Sequence, residues 1–320
     1  MHPDAPPSAE RPAWEAGFES FTRSQWAARA GTDPGSVTAA ADIEAVASGE
    51  PVTAEEVREV YLPLCRLVDV VAEAARDRAV RTAPFRLAVR RPGPLVVGIA
   101  GGVAVGKSTV ARVLRALLAD GGRVSVDLVS TDAFLLPNRE LDARGLAGRK
   151  GFPETYDRGA LITTLAGLRS GASPVTVPVY SHQAYDILEG HHRSIDAPDI
   201  VVVEGLTVLQ TGGDGDRDGD PRVVSDFLDL ALYIDADEDD AAAWHLDRLL
   251  DLRSAGGDGP FAEWLTSLTE EEAHQVARLS WSEINLVNLR RHVAPTARRA
   301  HVVLRKDRSH RVHEVLVRLP

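Results

Sequence analysis

Residues 98–114 read GIAGGVAVGKSTVARVL and follow directly on the apolar run Leu95-Val96-Val97. The order is strand-type residues, a glycine-rich turn, then apolar residues at helical spacing. Gly101, Gly102, Val103, Ala104, Val105, Gly106, Lys107 and Ser108 meet the pattern G-x-x-x-x-G-K-[ST] at every fixed position. Such a loop turns successive backbone N–H groups onto phosphate oxygens, with a lysine as point charge and a hydroxyl for a divalent cation. The helix that follows adds its N-terminal N–H groups and the positive end of its dipole. A bare glycine-rich turn is the plain alternative, but the strand before and the helix after favour a nucleoside triphosphate site.

Working outward, strands and helices alternate. RVSVDLVST, PDIVVVEGL, DFLDLALYIDA and AHVVLRK read as strands, and the second is apolar throughout, as in a parallel sheet covered on both faces. DRGALITTLAGLRSG, DEDDAAAWHLDRLLDLRS and TEEEAHQVARLSWSEINLVNLRRHV read as helices, the last opened by a capping box of Thr269 and Glu272. The pattern predicts an α/β fold with a mostly parallel sheet flanked by helices, its ligands gathered beyond the carboxyl ends of the strands. Residues 1–12 are rich in proline and polar groups and read as disordered. Residues 13–90 read as a mostly helical N-terminal extension packed on the core, including a helix opened by a capping box of Thr53 and Glu56. Residues 91–320 read as the phosphate-binding domain.

Composition bounds the partners. The chain has 320 residues, a net charge of −11, 44% hydrophobic and 26% charged residues. That is an ordinary globular balance, and the negative charge argues against a general nucleic-acid binder. The lone Cys65 excludes a disulfide framework. No signal peptide or membrane-length apolar run is apparent, so the expected address is the cytoplasm, with no membrane partner. The run DGDRDG at 214–219 starts like a calcium loop, but its twelfth position is Ser225, and an acidic surface loop is the expectation. His191 and His192 lack partners at metal-ligand spacing and read as solvent-facing loop residues.

Two acids end strands. Glu204 closes VVVEG and can support a metal directly or through water; Asp132, in LVSTDAF, can take a proton from an attacking hydroxyl. Each alone can equally be a helix cap or a solvated loop residue. Phosphoryl transfer also needs a cation near the moving charge, and Arg112, Arg248 and Arg253 are candidates from position.

The motifs GGVAVGKSTVARVL, STDAFLLPN, RKGFPETYD, VPVYSHQAYD, PDIVVVEGLTVLQ, VSDFLDLALYIDA, WSEINLVNL and PTARRA together resemble bacterial type I pantothenate kinase, a P-loop kinase akin to uridine kinase and phosphoribulokinase. The resemblance implies transfer of the γ-phosphate of ATP, with Mg²⁺, to the primary hydroxyl of pantothenate, a homodimer, and feedback inhibition by coenzyme A. It assigns Asp132 as base, Arg248 and Lys107 to catalysis, the loop Gly101 to Ser108 with Thr109 and Arg112 to the nucleotide, and Ser108 and Glu204 to the metal. Tyr180, His182 and Asn285 match the substrate pocket, in which Tyr185 and His245 are also expected. This chain departs at His245, Leu249 and Leu252, where the family carries aromatic rings, and at Thr207, where asparagine is more usual. The altered acceptor side keeps a second acceptor open, another small alcohol such as a nucleoside or a pathway intermediate.

Overall fold

A computed structural model describes residues 12–30, 43–85, 93–119, 122, 124–211, 222–257 and 259–319. The acidic run at 214–219 and residues 1–11 lie outside the described residues, as does the boundary expected near residue 90. Nine strands carry the architecture: β1 Phe18–Thr22, β2 Leu95–Gly101, β3 Val126–Ser130, β4 Val175–Ser181, β5 Asp186–Ile195, β6 Ile200–Glu204, β7 Leu230–Ala236, β8 Val302–Lys306 and β9 Val312–Arg318. Seven form one sheet in the order β1-β9-β8-β7-β2-β6-β3, and β4 and β5 pair as a separate hairpin. The five strands from β8 to β3 run parallel; at one edge β9 runs against them, and β1 pairs antiparallel with β9. The mostly parallel α/β sheet read from the sequence is the one observed.

The apolar strands are buried along their length because helices cover both faces. Every residue of β2 and β6 is buried, and alternate side chains feed two cores. Val97 and Ile99 enter one core with Val110, Val113, Leu114 and Leu117 of the helix Lys107–Ala119; Val96 and Ala100 enter the other with Leu161, Ile162 and Leu165 of the helix Arg158–Arg169. The helices that matter below are α1 Arg23–Ala27, α2 Ile43–Gly49, α3 Leu62–Thr82, α4 Lys107–Ala119, α5 Arg158–Arg169, α6 Glu238–Ala255, α7 Pro260–Ser267 and α8 Glu270–Ser280. α6, α7 and α8 form a lobe with its own small core of Leu249, Leu265, Ala273 and Ala277.

The N-terminal segment shares the main core. Phe21, Trp26, Val60, Tyr61, Leu64 and Val68 pack with sheet residues, and Trp26 Nε1 donates to the Val60 carbonyl at 3.0 Å. The sequence reading did not foresee β1, which pairs with the last strand of the chain. A buried charge node fixes that edge: Arg305 donates to Glu15 (2.7 Å), Asp235 (3.1 Å) and Glu314 (2.6 Å). The expected capping box at Thr53 is only half made. Thr53 Oγ1 accepts from the Glu56 N–H at 3.1 Å, but the buried Glu56 carboxylate accepts the Val312 N–H at 3.2 Å instead of reaching back. Among the described residues, no helix is long and apolar enough to cross a membrane.

Candidate active site

β2 lies between β6 and β7, but the chain leaves β2 for β3, two strands away. This reversal opens a crevice at the carboxyl ends of the parallel strands, where α/β folds bind ligands. The phosphate loop fills it. Gly106 has φ +89° and a side chain there would come within 2.8 Å of Lys306 Nζ, so glycine is required; Ala104 adopts φ +63° without that freedom. A non-glycine residue in left-handed backbone marks a conformation held by its surroundings, as functional loops often are. Lys107 opens α4, and its Nζ donates to the Gly102 carbonyl at 2.6 Å, curling the side chain over the loop.

Around it stand the acids found from strand ends. Ser108 Oγ donates to Glu204 Oε1 at 3.2 Å, joining the loop hydroxyl to the carboxylate at the end of β6. Asp132 follows β3 in a short 3-10 turn (Thr131–Phe134), where the Ser130 hydroxyl accepts its N–H at 3.3 Å. Burial lowers the Lys107 ammonium below its usual range, opposed by the charges of Glu204 and Asp132 and reinforced by Arg248. Those four groups therefore share one electrostatic neighbourhood. Ser108 and Glu204 are hard oxygen donors, a set that fits Mg²⁺, which keeps several ligands from water and phosphate.

The three candidate arginines separate. Arg253 donates to the Leu268 carbonyl at 2.9 Å and ties α6 to the start of α8. Arg112 is gripped by Glu50, just beyond α2, at 2.6 and 2.8 Å, so in this structure it braces the N-terminal segment and not a phosphate. Arg248 is exposed, has no ion-pair partner among the described residues, and acts electrostatically on Lys107, His182, Tyr185 and His245.

The residues expected on the acceptor side come from the hairpin and the lobe. Tyr180 sits on β4, and His182 and Tyr185 on the turn that follows; the hairpin itself was not foreseen. Tyr180 meets His182 and Tyr185 edge-on at 5.2 and 6.5 Å, and Tyr185 stacks on Phe261 of α7 at 4.6 Å. Tyr185 has φ +52°, another held conformation. Burial lowers the His182 imidazole, against the charge of Asp132. His245 Nε2 lies 2.9 Å from Ser280 Oγ and 3.4 Å from Asn285 Nδ2. Ser280 Oγ also donates to the Ala277 carbonyl at 3.1 Å, and the Asn285 amide nitrogen, a donor only, meets the same imidazole nitrogen. Burial, then the charge of Arg248, lowers the His245 pKa and favours the neutral ring. Leu249 and Leu252 do not form a wall with it: Leu249 is buried in the lobe core and Leu252 is exposed. His191 and His192 are exposed as expected, but on strand β5 and not a loop.

Three residues that sequence reasoning did not single out reach the cleft. Tyr156 is buried, and its hydroxyl donates to Asp132 Oδ1 at 3.4 Å. Lys150 donates to Asn138 Oδ1 at 2.6 Å and lies 4.1 Å from the Tyr185 ring centre; burial pulls its amine down to about 8. Lys306 ends β8 beside the loop, 3.3 Å from His310 Nδ1, and burial lowers the pair to about 8 and about 4. His310 stacks on Trp244 at 3.8 Å. The only signal for Tyr156 and Lys150 was their presence in RKGFPETYD; for Lys306 it was its place at a strand end.

A phosphate loop beside two acid-tipped strands, with an arginine on a neighbouring helix that has no ion-pair partner among the described residues, is the site of a P-loop phosphotransferase. Residues 96–272 match the Phosphoribulokinase / Uridine kinase family, and the chain belongs to it. More narrowly it groups with the pantothenate kinases, to which it is similar over nearly its whole length. The protein named pantothenate kinase from Parvibaculum lavamentivorans is 42% identical, covering 94% of this chain and 93% of that one. The one from Leifsonia xyli subsp. xyli is 44% identical over the same shares. Among solved structures, the D-glycerate 3-kinase of Cryptococcus neoformans var. grubii superposes with a TM-score of 0.51 at 15% identity, covering 77% of this chain and 97% of that one; this likeness concerns the fold alone.

Proposed function

We propose that this chain transfers the γ-phosphoryl group of ATP to the primary hydroxyl of pantothenate, giving 4′-phosphopantothenate and ADP, the first step towards coenzyme A. The relatives' names supply the acceptor. The observation that carries the chemistry is Asp132, held by Tyr156 at 3.4 Å in the same electrostatic neighbourhood as Lys107, Glu204 and Arg248.

In this reading the loop N–H groups and Lys107 hold the triphosphate tail. Ser108 and Glu204 would hold Mg²⁺, which when bound neutralises charge on the phosphate oxygens. Asp132 accepts the alcohol proton as that oxygen attacks the γ-phosphorus, and the Tyr156 hydroxyl fixes the carboxylate's direction. Arg248, unpaired, is free to follow the charge on the transferring group. Tyr180, His182, Tyr185, His245 and Asn285 shape the acceptor pocket, with Phe261 behind Tyr185. His245, held between Ser280 and Asn285, adds a polar contact to that pocket.

The same reading carries a homodimer, supported by Val70, Val80 and Phe85, large apolar residues left 48, 72 and 89% exposed along and just beyond α3. It also carries a cytoplasmic address, and inhibition by coenzyme A that is weakened where Arg112 is engaged by Glu50. The altered His245 corner favours one alternative, a different small alcohol as acceptor. A panel of alcohols assayed for ADP release decides it: pantothenate leads by a wide margin under the first reading, and a nucleoside leading would replace it.

A further inference from the structure

A second cavity, of about 990 Å³, lies behind the Asp132 loop. Its walls come from the segment before α5, the start of α5, the loop after β6, and the turns that follow Asn288. None of Lys107, Ser108, Asp132, Glu204 and Arg248 lines it. Arg144, Arg158, Arg291, Arg298 and Arg299 do, against a single lining carboxylate, Glu154, which Arg149 already holds at 2.5 Å. In a chain of net charge −11 this concentration of positive charge runs against the composition.

Arg144 is paired with Glu140 and Arg158 donates to the Arg222 carbonyl, whereas the later arginines are less engaged. Arg291 and Arg298 are exposed, and their side chains make no hydrogen bond or ion pair among the described residues. Arg299 spends one Nη on Ser225 Oγ at 2.7 Å, while its Nε is buried without a partner. Two further lining residues carry buried atoms in the same condition, Thr207 Oγ1 and Gln210 Nε2, and Thr207 is only 8% exposed. Those three atoms are closed off from solvent, so the groups that can meet a ligand here are the exposed guanidinium groups of Arg291 and Arg298. Leu146, Leu161 and Val224 supply an apolar portion of the wall.

We propose that this cavity is a second binding site, taking a small organic phosphate ester whose phosphate is gripped by the arginines and whose body lies on the apolar wall. Guanidinium forks match phosphate oxygens in pairs, and a phosphomonoester brings about two negative charges at pH 7. The volume is that of a small-molecule pocket, larger than an inorganic ion requires. Tyr156 lines the cavity and also meets Asp132 at 3.4 Å, which connects the site to the reacting carboxylate.

Phenyl phosphate is the probe, followed by ³¹P NMR on the full chain saturated with MgADP so that the phosphate loop is filled. Saturable binding at one site per chain is expected. The double variant R291S/R298S, at exposed unpaired positions that do not endanger folding, should weaken it by about tenfold or more. That variant should phosphorylate pantothenate normally when no probe is present, and Lys107→Ala should retain probe binding. Absent saturable binding in the unaltered chain, equal binding by R291S/R298S, or loss of binding in Lys107→Ala would each overturn the proposal. So would a change in the size-exclusion mass of R291S/R298S with probe binding intact, since the arginines would then serve contacts between copies.

Discussion

The two halves of the cleft are made of different material. The nucleotide half is mostly backbone: a loop whose φ angles at Ala104 and Gly106 turn its amides inward, rooted in a strand buried at every residue. The acceptor half is mostly side chains, carried on a hairpin and on a helical lobe with a small core of its own. A backbone cradle tolerates few alternatives in sequence, because Gly106 holds φ +89°, a conformation that strains any other residue. A wall of rings can be rebuilt one residue at a time. Of the departures that the resemblance implies, His245 falls on the second half, Leu249 and Leu252 turn away from it, and Thr207 lines the other cavity; none lies in the phosphate loop.

Substitutions sharpen that contrast, beginning with the largest effect. Asp132→Asn should lower kcat by about 10²–10⁴-fold while MgATP binding stays close to normal, measured by steady-state turnover and nucleotide titration. Undiminished kcat would remove the aspartate from its role. Arg248→Ala should cost about 10²–10³ in kcat, whereas Arg253→Ala on the same helix should keep kcat and lose about 1–3 kcal/mol of stability, read from chemical denaturation. Equal kinetic losses would show that the helix as a whole, and not one free guanidinium, is what matters.

A pH profile tests the acceptor half. Burial brings the Lys150 amine from 10.5 to about 8, so it is charged below that pH and neutral above. If its charge assists the substrate, kcat/KM falls as pH rises through about 8, and Lys150→Met abolishes that limb while lowering the plateau. Stability moves the other way: the lowered pKa means the folded state resists the charged form. The unfavourable contribution is therefore full below about 8 and disappears as pH climbs towards 10.5. An unchanged alkaline limb in the variant would assign the titration elsewhere. The smallest effect belongs to Arg112→Ala. Loss of its half-exposed pair with Glu50 should cost about 0–1 kcal/mol by denaturation and leave the KM for MgATP nearly unchanged. A large rise in KM would mean that Arg112 leaves Glu50 for the nucleotide.

The same division decides what the sequence made legible. The phosphate loop, β2, β6 and the acids Asp132 and Glu204 could be read locally, because periodicity and strand ends place them without knowledge of distant partners. Strand β1 could not: FESFT is short, and its identity depends on pairing with β9 at the far end of the chain. Glu56 looked like half of a capping box until Val312 claimed its carboxylate. The β4–β5 hairpin hid behind Pro178 and a largely exposed second strand that carries no apolar alternation. Tyr156 sits in an irregular loop, where no repeat signals a direction. Leu249 had the right helical spacing for the pocket but faces the lobe core, a matter of how α6 rolls against α7 and α8.

The central claim is that Asp132 activates a pantothenate hydroxyl beside a loop-bound ATP. Its most direct test is ³¹P NMR of the purified chain with MgATP and pantothenate, run in parallel with Asp132→Asn. The account predicts a phosphomonoester resonance of phosphopantothenate growing in step with ADP for the unaltered chain, and almost none for the variant. Phosphopantothenate formed equally by both, or by neither while another alcohol is phosphorylated, would contradict it.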